Sequence, residues 1–338
     1  MATPSPDLIL ELMEGFRRSQ AMFATLALGV FDHLKGRPAD AKSLADGTGT
    51  EPEALERLLD ACVGLGLLAK KSGAYSNLPI ADVYLCVSSP ETLAGYALYS
   101  HRALYALWGH LEDAVREGSA RWKQTFGFDG SLFSHFFRTD EARRNFLMGM
   151  HGFGLLSSPR VLQAFDLSRF KCLVDLGGGT GQLAIAACRL HPALGAVVFD
   201  LAPALEIARE YVGQAGLAGR IELRAGDFFV DPFPEADLYA LGRILHDWSE
   251  TKVRTLLAKA FHALPAGGGI LVAERLLEED KASPLPALLQ SLNMLVCTEG
   301  KERTLGEYSG LLHEAGFTEV QGKRTGGPLD AVLGLKGW

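Results

Sequence analysis

Cys172-Leu173-Val174-Asp175-Leu176-Gly177-Gly178-Gly179-Thr180-Gly181 is the stretch on which the reading of this 338-residue chain turns. Three apolar residues make a short strand, the glycines turn the chain, and Gln182 to Leu190 continues as a helical run. In an open α/β sheet, strand, glycine turn and helix present bare backbone to a nucleoside at the carboxyl ends of the strands. Glycine is needed where a ligand lies against the main chain, because a Cβ would collide with it. From Lys171 onward, short β-rich runs alternate with helical segments, the pattern of a parallel sheet wrapped by helices. Before that point the chain reads as one helix after another. The expected organisation is therefore α/β: a helical domain over residues 1–165 and a Rossmann-like domain over residues 166–338.

Residue 182, where a dinucleotide fingerprint would carry its third glycine, is glutamine. The pattern over Asp175–Gly181 is instead Asp-x-Gly-x-Gly-x-Gly, the form typical of methyltransferases. The expected cofactor is S-adenosylmethionine, leaving as S-adenosylhomocysteine. It has no phosphates to seat, and its cationic sulfonium and amino groups suit acidic surroundings. Val197-Val198-Phe199-Asp200 reads as a second strand ending in an acid able to accept both ribose hydroxyls, with Leu201 next to it. A third strand, Arg220 to Ala225, leads into Gly226-Asp227-Phe228, an acid for the adenine amino group and a ring to pack on the base. Either acid alone reads equally as a helix cap. Both together, at the ends of successive strands after a glycine loop, read as cofactor ligands.

A fourth strand, Asp237 to Gly242, runs into Arg243-Ile244-Leu245-His246-Asp247-Trp248 at the same sheet edge. In-line methyl transfer to an oxygen needs alignment and a base but no covalent enzyme intermediate. A phenol has a pKa of about 10 and a histidine about 6.5, so a neutral His246 can take the proton as transfer proceeds. A lone histidine beside a tryptophan is ordinarily a satisfied structural residue; its place beside the cofactor loop favours the base. Its other ring nitrogen then needs an acceptor. Asp247 is a poor choice, since a neighbour at a strand end points elsewhere. Glu274, ending the strand Ile270-Leu271-Val272-Ala273, and Glu302 are the two candidates. No H-E-x-x-H, spaced Cys/His set or tight acidic cluster is visible, so no metal is expected.

In the first half, Thr50-Glu51-Pro52-Glu53 predicts a capping box before the buried face Leu55, Leu58, Leu59, Cys62 and Val63. A shorter helix precedes it around Ser43–Asp46, and a two-stranded wing, Leu67–Lys70 and Ala74–Ser76, follows. That is a DNA-binding shape, but Glu51, Glu53 and Glu56 would repel phosphates, so a structural use is expected. Two apolar segments, Phe16–Phe31 and Leu93–Val115, are long and helical in pattern; an intrachain core and a second subunit explain the first equally. The net charge of −7 argues against non-specific nucleic-acid or anionic-membrane binding. No apolar run reaches the roughly 18 residues a bilayer span needs. The start of the chain lacks a signal-peptide pattern, and five scattered cysteines include no C-x-x-C pair, so a cytoplasmic protein with buried thiols is expected.

Together, Asp175–Gly181, Gly226-Asp227-Phe228, Leu245-His246-Asp247-Trp248, Ser291-Leu292-Asn293-Met294-Leu295 and Gly300-Lys301-Glu302-Arg303-Thr304 resemble the acetylserotonin (hydroxyindole) O-methyltransferase family. The acetylserotonin methyltransferase-like proteins and the plant caffeate-type and bacterial small-molecule O-methyltransferases belong to the same wider group. Asp113–Gly118 and Asp231–Tyr239 extend the likeness over nearly the whole chain. The resemblance implies a winged-helix-type dimerisation domain at the N-terminus, an intertwined homodimer and a Rossmann-like catalytic domain. It implies His246 as base flanked by Glu274 and Glu302. Cofactor contacts are implied at Gly177, Asp200, Asp227, Phe228 and Arg243, within a set that also includes Asp175, Gly179, Leu201 and Gly226.

The implied acceptor is a small hydroxylated aromatic molecule, gripped by Asn293, Asp247 and Arg243. Phe133, Phe137, Met150, Phe153, Met294 and Cys297 would shape its pocket. Departures from the family pattern are Phe137 and Gly154, where relatives close the pocket with aromatic residues, and Gly242, where plant relatives carry a lysine. His151 and Phe153 fall in the helix expected to roof the pocket, which leaves the acceptor's shape open. Some members of the wider group use the cofactor for hydroxylation or pericyclic chemistry; a base with two glutamates favours methyl transfer. A non-catalytic scaffold dimer has the complete cofactor set against it.

Overall fold

The computed structural model describes residues 4–127 and 138–338. By packing, the chain divides into two units, Met1–Ala103 and Leu104–Trp338. The described helices between residue 104 and residue 165 fall in the same unit as the sheet, although strand–helix alternation begins only after them.

In the first unit, helix Asp7–Ala27 ends just before Gly29, whose φ of +74° only glycine adopts readily, and a short helix Val30–Leu34 follows. The apolar run Phe16–Phe31 is therefore two helices. Phe23, Leu26, Val30 and Phe31 are buried with Leu55, Leu59, Cys62 and Tyr75 in one core. Leu8, Ile9, Leu12, Met13 and Phe16, on the N-terminal part of the long helix, are exposed. An intrachain core thus accounts for only part of that helix. Strand β1 (Ala39–Asp40), helices Ala41–Thr48 and Pro52–Gly64, and strands β2 (Leu68–Lys71) and β3 (Ala74–Asn77) form a winged helix, its antiparallel sheet ordered β1-β3-β2. The cap before Pro52 is not the expected one. Glu51 is the N-cap, its carboxylate accepting from Glu53 N at 3.1 Å and Ala54 N at 2.7 Å, while Thr50 Oγ1 pairs with Thr48 Oγ1. Proline fits the first helical position, and this makes the residue before it the cap. Arg57 pairs with Glu53, and Lys70 with Glu56 and Asp60, so these bases are matched by acids of the same helix.

The second unit is built on strands β4 (Cys172–Leu176), β5 (Gly195–Asp200), β6 (Ile221–Ala225), β7 (Leu238–Gly242) and β8 (Gly269–Glu274). A short parallel pair, β9 (Leu276–Leu277) and β10 (Arg303–Thr304), lies apart from it. Strands β11 (Glu319–Lys323) and β12 (Asp330–Leu335) complete a seven-stranded sheet ordered β11-β12-β8-β7-β4-β5-β6. Strands β4 to β8 run parallel, whereas β12 is antiparallel to β8 and β11 to β12. Alternate residues feed separate cores: Leu173, Val198, Leu238, Ala240 and Leu271 on one face, Val174, Val197, Tyr239, Leu241 and Ile270 on the other. Burial on both faces makes these strands continuous apolar runs.

From β4 the chain turns to β5 on one side, and β7 joins on the other. The carboxyl ends of β4 and β7 therefore flank the crevice where open α/β sheets bind ligands. Among the described residues no helix is long and apolar enough to cross a membrane. The β4–β7 junction is tied at its far end by Asp237, whose carboxylate accepts from Lys171 N at 2.7 Å and Cys172 N at 2.9 Å. Asp237→Ala gives up two hydrogen bonds to a charged group and should destabilise this unit by about 1–3 kcal/mol in urea unfolding. An unchanged midpoint would show that the junction stands without this tie.

Candidate active site

At the end of β7, Arg243 adopts φ +57°, a left-handed conformation that a side-chain-bearing residue rarely takes, and its N–H donates to Ala273 O at 3.0 Å. The chain then passes across the end of β8 into a one-turn 3₁₀ helix, Leu245–Asp247. Glu274, the last residue of β8, receives that turn: its Oε1 accepts from the N–H groups of Ile244 (3.0 Å), Leu245 (3.0 Å) and His246 (3.4 Å). Glu274 Oε2 lies 3.2 Å from His246 Nδ1, and Glu302 Oε1 lies 2.7 Å from the same nitrogen. Both carboxylates therefore converge on Nδ1. The other nitrogen, Nε2, faces Asp247 Oδ1 at 3.7 Å.

The turn is also held from beneath. A Cβ on Gly300 would overlap the carbonyl oxygen of His246 and approach Trp248 N to 2.7 Å. Buried Arg303 donates from Nη1 to Leu245 O at 3.2 Å and from Nη2 to Glu250 at 3.2 Å. Burial pushes the Glu302 carboxyl up to about 8, against the pull of Arg243, Arg275 and Arg303. Burial likewise pushes Glu274 up to about 7 and Asp247 up to about 6.

The sequence shows no tight acidic cluster, yet folding brings Glu274 and Glu302 together at one histidine, with ligand atoms of all three within 4.8 Å of one another. That spacing would suit a metal ion. Here, however, Glu274 Oε1 is committed to three backbone N–H groups, and Nδ1 is bonded to Glu302.

Next to this turn, the glycine loop closes on it. A Cβ at Gly177 (φ +71°) would meet Ile244 Cδ1 at 2.5 Å and the Phe228 ring at 3.3 Å. Asp175 lies buried beneath the loop, its Oδ2 without a hydrogen bond among the described residues, and burial together with the Asp200 charge pushes it up to about 7. Asp200, at the end of β5, accepts from Gly179 N and Leu201 N, both at 2.7 Å, and burial pushes it up to about 6. Gly226 N donates to Asp200 O at 3.0 Å. Asp227 Oδ1 accepts from Phe229 N at 2.8 Å, so this acid also caps its own turn. The Phe228 ring meets Phe229 and Trp248 edge-on. Bare backbone, an unpartnered buried carboxylate oxygen and two acids with lone pairs to spare form a donor-seeking surface, and this fits a nucleoside carrying amino, hydroxyl and sulfonium groups.

Helix Asp140–Gln163 overlies the loop. His151 Nδ1 is 3.0 Å from Thr180 Oγ1 and Gln182 Nε2 lies 3.1 Å away; burial drives this imidazole down to about 4, which keeps it neutral. Arg243 Nη1 reaches Met150 Sδ at 3.3 Å, and its guanidinium sits 4.5 Å from the Phe153 ring centre. On the other side, helix Leu285–Cys297 carries buried Asn293, Met294 and Cys297. Two indoles brace it: Trp108 Nε1 donates to Asn293 Oδ1 at 2.8 Å, and Trp122 Nε1 to Cys297 O at 2.7 Å. Phe133 and Phe137 lie outside the described residues.

The fold therefore gathers His246, Glu274, Glu302 and Asp247 at one point, with the loop, Phe228 and Arg243 adjacent. Sequence reading gave Gly300 and Arg303 no separate role, although both stand in the Gly300–Thr304 motif. Trp108 carried no signal at all, because its partner is remote in the chain.

Residues 108–318 match the family model of the O-methyltransferase domain, and residues 10–86 that of the O-methyltransferase dimerisation domain. The chain is 45% identical over 338 residues to acetylserotonin O-methyltransferase of Gallus gallus, covering 98% of this chain and 97% of that protein. A probable bifunctional dTTP/UTP pyrophosphatase/methyltransferase protein of Homo sapiens is 42% identical across 98% of this chain and 54% of its own length. The crystal structure of human N-acetylserotonin methyltransferase in complex with S-adenosylmethionine matches with a TM-score of 0.94 at 40% identity, over 100% of both chains. Glycine loop, sheet-edge histidine and full-length likeness agree: the chain belongs to the acetylserotonin-type O-methyltransferase family and is an S-adenosylmethionine-dependent O-methyltransferase.

Proposed function

We propose that this enzyme methylates a phenolic or hydroxyindole hydroxyl of a small molecule, with His246 as general base. The observation that carries the reading is the pairing of His246 Nδ1 with buried Glu302 at 2.7 Å, with Glu274 at 3.2 Å. A proton on Nδ1, donated to a carboxylate, leaves the lone pair on Nε2. The same carboxylates then stabilise the imidazolium once Nε2 has taken a proton. S-adenosylmethionine supplies an electrophilic methyl group on a cationic sulfur. The chain's part is to align the hydroxyl, take its proton and exclude water.

Gly177, Gly179, Asp200, Leu201, Gly226, Asp227, Phe228 and Arg243 would hold the cofactor, with Asp175 beneath the loop. Met150, Phe153, Asp247, Asn293 and Met294, with Phe137, would hold the acceptor. Arg243 would serve both, since its guanidinium lies between Met150 and Phe153. The dimerisation-domain match over residues 10–86 and the exposed apolar residues Leu8, Ile9, Leu12, Met13 and Phe16 support a homodimer through the N-terminal region. Non-methylating chemistry on the same cofactor would have little use for an imidazole held by two buried acids.

Calorimetric titration with S-adenosylhomocysteine, followed by methylation of a phenol panel that includes N-acetylserotonin, tests this reading. His246→Ala should keep cofactor-product affinity and lose about 10²–10⁴ in turnover; near-normal turnover would remove it as the base. In the same titrations Asp200→Ala should weaken S-adenosylhomocysteine binding, and unchanged affinity would take Asp200 out of the site. Gly300→Ala forces the turn bearing His246 to move. A misplacement of about 1 Å should lower kcat on the order of 10²-fold with cofactor affinity intact. If kcat stayed at the wild-type level, the turn would not need that glycine.

A further inference from the structure

An asparagine amide has two ends of opposite hydrogen-bonding sense on nearly identical shapes, and nothing in the side chain decides which end faces a ligand. At Asn293 the surroundings decide. Trp108 Nε1, a donor with no accepting capacity, lies 2.8 Å from Asn293 Oδ1, and the Cys297 thiol leans on the same oxygen at 3.8 Å. The opposite amide orientation would set the indole N–H against an NH₂ group, two donors face to face at a half-buried contact. The lost hydrogen bond holds the observed orientation by about tenfold.

The indole itself is fixed. It belongs to helix Tyr105–Trp108 in a segment fastened to helix Leu285–Cys297 at two further points, Trp122 Nε1 on Cys297 O at 2.7 Å and Arg121 N on Val296 O at 3.0 Å. Among the described residues Asn293 Nδ2 makes no hydrogen bond. Just past the end of the helix bearing it the chain meets the base turn, where Glu299 N donates to Asp247 O at 3.4 Å.

We propose that Trp108 is a positioning residue that sets the polarity of Asn293, so that its NH₂ end faces the methyl acceptor. With its NH₂ end so directed, Asn293 can donate to a hydrogen-bond acceptor on the side chain of the methyl acceptor, such as an amide carbonyl. This rests on the proposal that Asn293 lines the acceptor site.

The test uses a matched pair, N-acetylserotonin and 5-hydroxyindole, with the full-length enzyme saturated in cofactor. In the wild type the carbonyl-bearing partner should bind tighter; equal affinities for the pair would overturn the proposal. Trp108→Phe keeps the ring and removes only the donor. It should lower the preference, expressed as the ratio of kcat/KM values, about tenfold. Most of the change should fall in the KM for N-acetylserotonin, with the melting temperature and S-adenosylhomocysteine affinity near wild type. Asn293→Asp keeps an acceptor for Trp108 but turns the other end into an acceptor as well, so it should lower the ratio at least as much. If Asn293→Ala lowers the ratio and Trp108→Phe does not, the role of Trp108 is overturned while Asn293 remains in the site. If Asn293→Ala leaves the ratio unchanged, the reading of the acceptor site fails, and this inference with it. Equal losses of kcat on both molecules with a lowered melting temperature would mark Trp108 as a structural brace and overturn its positioning role.

Discussion

Glu274 performs two tasks with one carboxylate: Oε1 accepts three successive backbone N–H groups of the turn that carries His246, and Oε2 lies 3.2 Å from the imidazole of that histidine. The turn cannot shift without leaving buried donors unpaired, and the ring cannot rotate without leaving its acceptors. Much of the surrounding architecture is arranged to make that carboxylate tolerable. Burying an acid is costly, and the structure offsets the cost with backbone donors and with the charges of Arg243, Arg275 and Arg303 around the cluster. A glycine at 300 lets the neighbouring loop come close beneath.

The sheet supplies the rigid frame for this arrangement. Because β7 and β8 are adjacent and parallel, Gly242 pairs with Ala273, and the residues that follow each leave the sheet side by side. Because β4 is the other neighbour of β7, the glycine loop emerges next to the same turn. Ile244 and Phe228 then close on Gly177, so that a Cβ there would have to displace the Ile244 side chain. The left-handed Arg243 lies where the chain must cross from β7 toward β8. Its side chain then reaches back to Met150 and Phe153 on the overlying helix. The left-handed backbone at this position directs the guanidinium toward that helix.

The parts of this architecture that depend on local chemistry were legible in the sequence. The strand–glycine–helix unit at Cys172–Leu190, the acid ending β5 and the histidine after β7 are written in contiguous residues, each with its own period or turn signal. Features that depend on chain segments meeting at a distance were not. The sequence offered Glu274 and Glu302 as alternatives for one role, and the fold brings both to Nδ1. The acidic cluster exists only because two strand ends and a loop converge. Gly300 looks like any loop glycine until the carbonyl of His246 is seen above it. The capping box failed for a local reason, since Pro52 in the first turn makes Glu51 the cap. The apolar run Phe16–Phe31 was broken by Gly29, because a single positive φ outweighs a favourable hydrophobic period.

The two side chains proposed to meet the acceptor share one physical problem. An imidazole and a primary amide can each present either a donor or an acceptor in nearly the same shape, and chemistry or selectivity depends on which is shown. In both cases a partner bonded to one end of the group settles the choice. With Glu302 ionised, its carboxylate accepts from Nδ1, and Nε2 is left to accept. Trp108 donates only, so Asn293 Oδ1 must accept and Nδ2 is left to donate. Neither partner needs to touch a ligand to act. What each contributes is direction, set in advance and kept by the hydrogen bond that any reversal would lose. A mouth built this way presents one hydrogen-bond acceptor and one donor at fixed places. On the proposed reading, a molecule offering a hydroxyl to the first and a carbonyl to the second is the complement of such a site.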